Sequence, residues 1–252
     1  MSALPIGSLL AIGLWADREP GPAGLLVAAE ALRSLGAELN GVVWSAEAGV
    51  RFKLAVDVAG HFWTDLGASE VHEMLRSGRA YRVGLDLPGL GPVMLGFEGT
   101  PEEEPADRHP IRVAMESGPF GIPRELWEDE ERAEAAVMRQ RVLEVLQALC
   151  RALDPAYAIV GEEIDVPNPD GLVTDPHLGW TIGADGYLAR RMIERPEVAG
   201  HLAVVSPLAQ VVEWDTGSFF SGWFLAETPD DETYESAWGA AFLAVGEALR
   251  KG

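Results

Sequence analysis

The sequence predicts an α+β fold in which mainly antiparallel sheets are flanked by helices. Short β-prone runs occur in both halves of the chain, turn-forming residues join several of them as hairpins, and segments of helical periodicity interrupt them. Hydrophobic residues make up 48% and charged residues 23% of the 252 residues, which is the composition of a globular protein. We expect one compact domain over residues 1–252, with halves at residues 1–122 and 123–252.

The first half opens with an apolar run over residues 8–15 that predicts a strand. Apolar residues then recur at helical spacing until Gly36, which marks the end of a helix. Residues 39–44 predict a second strand, although Asn40-Gly41 within it is also a turn sequence. The remaining predicted elements are a strand at 52–58, a helix at 69–76, a hairpin of 81–87 with 93–97, and a strand at 111–116.

The clearest predicted element is a long helix from Pro123 to Leu153 in the second half. Proline is compatible with the first turn of a helix, and acidic residues crowd the end where the helix dipole favours anions. Apolar residues form a stripe along the rest of the segment, namely Ala135, Met138, Val142, Val145, Leu149 and Leu153. At 1.5 Å per residue the helix would be roughly 45 Å long.

The remainder of the second half predicts a mixture of short elements. They are a strand at 157–164, a short helix at 187–194, strands at 201–205, 209–214 and 219–226, and a C-terminal helix after Thr228-Pro229-Asp230-Asp231. Each half therefore gives a helix, a strand, an irregular stretch, a short helix and about three strands. This order suggests an internal pseudo-repeat, although the sequences of the halves do not visibly match.

The charge balance restricts the classes of partner. The 40 Asp and Glu residues outnumber the 19 Lys and Arg residues, which gives a net charge of −21. Nucleic-acid binding depends on Lys and Arg that replace counterions, so direct binding of nucleic acid is not expected, nor is binding to anionic membranes. A basic protein surface would be attracted instead. The alternative explanation is that the charge only maintains solubility.

Cysteine usage and the N-terminal segment predict the cytoplasm. Cys150 is the only cysteine, so an intramolecular disulfide is not expected. The apolar start, residues 4–15, is too short to span a bilayer, and the charged residues Asp17, Arg18 and Glu19 follow it in place of a small-residue cleavage site. The sequence leaves the oligomeric state open.

No recognised catalytic or metal-binding spacing occurs. The five histidines are scattered, and no phosphate-binding loop or nucleophile motif is present, so we expect no metal, no cofactor and no enzymatic activity. One alternative is an enzyme of unfamiliar type whose cleft contains four residues, Glu162, Glu163, Asp175 and His177. Because Glu162 and Glu163 are adjacent on a predicted strand, their side chains should point to opposite faces.

The best candidate for a partner-binding surface is the acidic start of the long helix. Its acids exceed what a helix terminus needs, and an aromatic residue lies among them, which is a good anchor for an interface. The candidate residues are Glu125, Trp127, Glu128, Asp129 and Glu131. The alternative is that the acids only complement the helix dipole and that the tryptophan packs in the core.

Three segments of the second half carry a family resemblance. They run from Asp154-Pro155-Ala156-Tyr157 to Glu162-Glu163, then Gly179-Trp180, then Val204-Val205-Ser206-Pro207-Leu208. With the long helix before them, these segments of residues 125–226 resemble immunity proteins of bacterial polymorphic toxin systems, most nearly the immunity protein 52 family. The resemblance implies an α+β protein that binds and neutralises a cognate toxin, often a nuclease, without catalysis. It assigns no role to any single residue.

Overall fold

The computed structural model describes residues 5, 9–17, 21–45, 53–54, 66–98, 110–117, 128–162, 164, 166–174, 185–225 and 231–251. Among these residues, ten strands form one sheet, and every pairing between them is antiparallel. Helices flank this sheet, so the predicted α+β class is confirmed. Within the described ranges, no helix combines the length and the apolar character that a membrane crossing requires.

The elements have the following bounds. The strands are β1 Leu9–Trp15, β2 Glu38–Ser45, β3 Lys53–Leu54, β4 Ala80–Leu87, β5 Gly91–Phe97, β6 Ile111–Glu116, β7 Tyr157–Glu162, β8 Asp185–Ala189, β9 Gln210–Glu213 and β10 Gly217–Ser221. The helices are α1 Gly21–Ser34, α2 Ala68–Arg76, α3 Asp129–Leu153, α4 Pro169–Thr174, α5 Arg190–Ile193, α6 Pro196–Val205 and α7 Asp231–Lys251. The strand order in the sheet is β3-β2-β4-β5-β6-β1-β7-β8-β10-β9.

Strand β1 lies between the strands contributed by the two halves of the sequence. It pairs with β6 on one side and with β7 on the other. Its central residues Leu10, Ala11 and Ile12 are fully buried. The first half thus supplies the contiguous strands from β3 to β1, and the second half supplies those from β7 to β9.

Helices cover both faces of the sheet around β8. A Cβ atom built on Gly186 would lie 2.4 Å from the indole of Trp238 on α7. The next residue, Tyr187, points to the opposite face, where Cys150 of α3 is close enough to influence it electrostatically. Helix α3 also packs against α1, while α7 packs against α4 and α6. The core is therefore continuous from one helix layer through the sheet to the other.

Two arginines fix α3 in its place. Arg141 donates hydrogen bonds from Nε to the carbonyl of Pro88 at 3.0 Å and from Nη2 to the carbonyl of Leu35 at 2.6 Å. At the C-terminal end of the helix, Arg191 donates to Asp17 at 2.6 Å and to the carboxylate of Asp154 at 2.7 Å. The helix is therefore held at its middle and at its C-terminal end in addition to the burial of its apolar stripe.

Most predicted elements of the first half are confirmed, and one ambiguity is resolved. Asn40-Gly41 lies inside β2, as a strand prediction requires, but the pairing of β2 with β4 shifts register between Leu39 and Val43. Gly41 has a φ of +89°, and the Asn40 side chain accepts a hydrogen bond from the N–H of Val42 at 3.2 Å. The turn sequence therefore produces an irregularity within the strand.

Four predictions in the second half are wrong in part. Residues 201–205 are helical because Pro196 and Glu197 begin a helix that continues through them, in spite of the β-branched residues. Residues 187–189 belong to β8, where pairing with β7 and β10 outweighs helical periodicity. Helix α3 begins at Asp129 instead of Pro123, because Glu128 has extended backbone angles. Strand β10 ends at Ser221, well before residue 226.

The close approach of β1 to the chain after β7 predicts a stability effect. A Cβ at Gly13 would lie 1.7 Å from Cγ2 of Val166, so Gly13→Ala should lower the free energy of unfolding by about 1–3 kcal/mol. Gly200→Ala is the matched control, because no atom lies within 4 Å of its Cβ position in α6. That variant should gain about 0.5–1 kcal/mol. Urea unfolding measures both, and equal stability of Gly13→Ala and wild type would contradict the packing.

Candidate functional site

The start of α3 is an exposed acidic surface. Five carboxylates project from its N-cap and first two turns, and all five side chains are exposed. We call these residues the α3 acidic face: Glu128, Asp129, Glu130, Glu131 and Glu134. Three of the predicted partner-binding residues, Glu128, Asp129 and Glu131, lie within it. The other two, Glu125 and Trp127, fall outside the described residues.

Two acids of this face have a structural role. Glu128 is the N-cap, and its contacts with Glu131 form a capping box. The backbone N–H of Glu128 donates to Oε2 of Glu131 at 3.4 Å. Acids at a helix N-terminus are also stabilised by the helix dipole. Part of the acidity therefore serves to begin the helix, as the alternative explanation for the sequence proposed.

The remaining acids exceed this structural need. Asp129 forms an ion pair with Arg132, but the Asp129 side chain is 98% exposed, so the pair contributes little. In the described part of the chain, no salt bridge involves Glu130 or Glu134. The face keeps a net negative charge that solvent screens only partly at short range.

An apolar side chain lies next to these acids. Val137 is 70% exposed and follows Glu134 by three positions and Glu130 by seven, which places the three residues on one side of the helix. Ala133 and Ala136 beside it are exposed as well. An exposed apolar side chain with carboxylates on its N-terminal side suits contact with another protein.

Of the four alternative catalytic residues, one lies in the described part of the chain. Glu162 is half-buried at the end of β7. Glu163, Asp175 and His177 lie outside the described residues. Within the described ranges, no group of three or more His, Cys, Asp or Glu side chains could hold a metal ion.

Cys150 is buried in α3 among apolar side chains. Burial, and to a smaller extent the charge of Asp154, raises the pKa of its thiol well above the ordinary value. The nucleophilic thiolate is therefore disfavoured at neutral pH. The position fits the interpretation of Cys150 as a small apolar core residue.

Asp185 is a prominent polar residue that the sequence did not indicate. Its side chain is fully buried at the first residue of β8. No recognised motif surrounds it, and a single aspartate before a glycine is a common turn sequence, so no sequence signal distinguished it. Only the tertiary structure shows that donors converge on it from the chain after β10 and from α7.

A groove lies between α1 and α2. It has a volume of about 1060 Å³ and lies above the start of β2. Its walls carry both signs of charge, since Arg33 and Arg76 face Glu30 and Glu38. His72 lies on the same wall as Arg76. Because both signs of charge line the groove, its walls favour neither an anionic nor a cationic ligand.

Comparisons with known proteins leave the family open. No family model matches the chain, and no curated protein sequence matches it. Among solved structures, it is similar to the Pseudomonas aeruginosa T6SS protein PA0821, with a TM-score of 0.46 and 10% sequence identity over 95% of this chain and 75% of that chain. A likeness at this level supports no assignment of function. The resemblance to immunity protein 52 therefore stays a prediction.

The capping role of Glu131 can be separated from its charge. Glu131→Ala should lower the free energy of unfolding by about 0.5–1 kcal/mol, because the N–H of Glu128 loses its acceptor. Glu134→Ala removes the same charge from the same face without a cap contact and should change stability by less than about 0.5 kcal/mol. Thermal unfolding compares the two, and equal losses would contradict a specific cap.

Proposed function

We propose that the protein is an immunity-type inhibitor that binds a cognate bacterial toxin and neutralises it by steric block, without catalysis. The α3 acidic face with its exposed Val137 is the observation that carries this proposal. The net charge of −21 and the resemblance of residues 125–226 to immunity proteins also support it. The proposed site of action is the cytoplasm.

The charge of the face suggests a partner with a basic surface. Complementary charges accelerate encounter, and juxtaposed like charges discourage wrong partners. Toxin domains that act on nucleic acid need a basic surface for their own substrate, so an acidic inhibitor can compete for that surface. A nuclease toxin is therefore the partner class that we propose.

Affinity requires more than charge, and the same face offers apolar contact. Burying Val137 against a partner would contribute about 1.5 kcal/mol at most. Helix α3, which carries Val137, is held in place by its buried apolar residues and by the hydrogen bonds of Arg141. Because little backbone freedom is lost on binding, a rigid face of this kind keeps more of the interaction energy.

The proposal is tested with the product of the adjacent gene as the candidate toxin. Tagged protein should retain that product in a pull-down, and co-expression should restore growth to cells that produce it. Absence of both a complex and a rescue of growth would contradict the immunity function. A complex without rescue would support binding and contradict inhibition.

The binding face is tested by charge reversal at three positions. Changing Asp129, Glu130 and Glu134 to Lys leaves the capping pair intact and should slow association with a basic toxin at least about tenfold at low salt. The salt dependence of the association rate should also become weaker, because fewer opposite charges attract. Stopped-flow kinetics at several salt concentrations measure both effects.

The control variant reverses three acids on distant elements. Glu194, Glu197 and Glu213 are exposed near α6 and β9, and their change to Lys alters the net charge by the same amount. Its association rate should fall by less than about threefold, because only the overall field changes. Equal effects of the two triple variants would contradict the assignment of the face but not the immunity function.

A further inference from the structure

The buried carboxylate of Asp185 is surrounded by hydrogen-bond donors from another part of the chain. The N–H groups donate at 2.9 Å from Gly222, 3.1 Å from Trp223 and 2.6 Å from Phe224. The hydroxyl of Tyr234 donates at 3.2 Å, and the hydroxyl of Ser221 donates as well. We call these six residues the Asp185 cluster. It links the start of β8 to the segment after β10 and to α7.

The cluster fixes how α7 meets the sheet. The hydroxyl of Ser221 accepts the N–H of Leu225 at 2.7 Å, which completes the bend after β10. The ring of Tyr234 stacks on Trp238, with centroids 6.2 Å apart. Trp238 in turn packs closely over Gly186, the neighbour of Asp185. The contacts of Asp185 therefore hold both the segment Ser221–Leu225 and the first turns of α7.

No cation compensates the charge of Asp185 among the described residues. From α7 the titratable group that faces it is Tyr234, and from β10 only the hydroxyl of Ser221 does so. On β7 the nearest acid by register is Glu162, two residues beyond the cross-strand partner Val160. Tyr187 is the titratable group on its own strand. An ionised carboxylate in such surroundings loses its hydration without gaining an opposite charge.

The neutral form of Asp185 can also be accommodated. A protonated carboxyl group can donate to a hydroxyl oxygen, and both Ser221 and Tyr234 supply one. Tyr234 has a second acceptor, the carbonyl of Phe220 at 3.2 Å, to which its single hydrogen can turn. The cluster can therefore form hydrogen bonds both with ionised Asp185 and with protonated Asp185.

We propose that the Asp185 cluster is a proton-controlled contact, in which the segment Ser221–Leu225 and the start of α7 are held more firmly when Asp185 is protonated. Burial raises the pKa of Asp185 to about 6, although the hydrogen bonds from Ser221 and from the N–H groups of Phe224, Gly222 and Trp223 lower it in part. A solvated aspartate has a pKa of about 3.9. Opening of the segment relieves the desolvation of the ionised form, so the free energy of opening falls as the pH rises from about 4 to about 6 and is then constant.

A carbon-13 NMR titration of the Asp185 carboxyl group tests the proposal directly. The expected midpoint is near pH 6. Amide hydrogen exchange supplies the second readout: after correction for intrinsic rates, protection of Gly222, Trp223 and Phe224 should fall about tenfold between about pH 5 and about pH 7.5. A midpoint below about pH 4.5 would show that the donors keep the carboxylate ionised, and would overturn the proposal.

Variants test whether the pH dependence of amide protection arises from Asp185. In Asp185→Asn the fall in amide protection with rising pH should disappear, because the side-chain amide does not titrate. Asp215→Asn, on the exposed chain after β9, is the control and should show the same fall in protection as the wild type. Ser221→Ala removes one donor to the ionised form and should move the midpoint to higher pH. This second variant tests the proposal if Asp185→Asn does not fold. An unchanged midpoint in Ser221→Ala, or a tenfold fall that persists in Asp185→Asn, would contradict it.

Discussion

The pairing of β1 with both β6 and β7 is the constraint on which the rest of the structure depends. The N-terminal strand lies between the strands of the first half and those of the second, and its central residues are fully buried. A central strand exchanges backbone hydrogen bonds on both edges, so its removal would leave two unpaired edges in the middle of a continuous sheet. Because α3 directly precedes β7 in the chain and packs against α1, its position and that of its acidic start depend on the same pairing.

Three arginines of this acidic protein join secondary-structure elements through hydrogen bonds to carbonyls and carboxylates. Arg141 holds the middle of α3 and Arg191 its C-terminal end, and Arg195 donates to the carbonyl of Ala248 near the end of α7 at 2.9 Å. Guanidinium groups that are committed to carbonyls and to neighbouring carboxylates neutralise little of the remaining surface. The excess of acids is consequently left at exposed positions such as Glu130 and Glu134.

The fold was predictable from the sequence to the extent that local signals agreed with tertiary contacts. The hairpin of β4 and β5 and the body of α3 were predicted correctly, because turn residues and an apolar stripe specify them locally. Residues 201–205 were predicted wrongly, because β-branched residues suggest a strand while the helix start at Pro196 decides the outcome. At the candidate site, Glu128, Asp129 and Glu131 are exposed at the start of α3, and their role in binding stays a prediction. The burial of Asp185, in contrast, depends on donors 36 or more residues away. Periodicity and spacing contain no information about contacts of that range.

Amide hydrogen exchange, measured with and without the candidate toxin, tests directly whether the start of α3 is the binding face. The first N–H groups of a helix lack intrahelical acceptors, so those at the start of α3 should exchange rapidly in the free protein and respond sensitively to a bound partner. We expect complex formation to slow the exchange of the amides from Asp129 to Val137. Slower exchange over the groove between α1 and α2, or over α6 and β9, with no change at the start of α3, would contradict it.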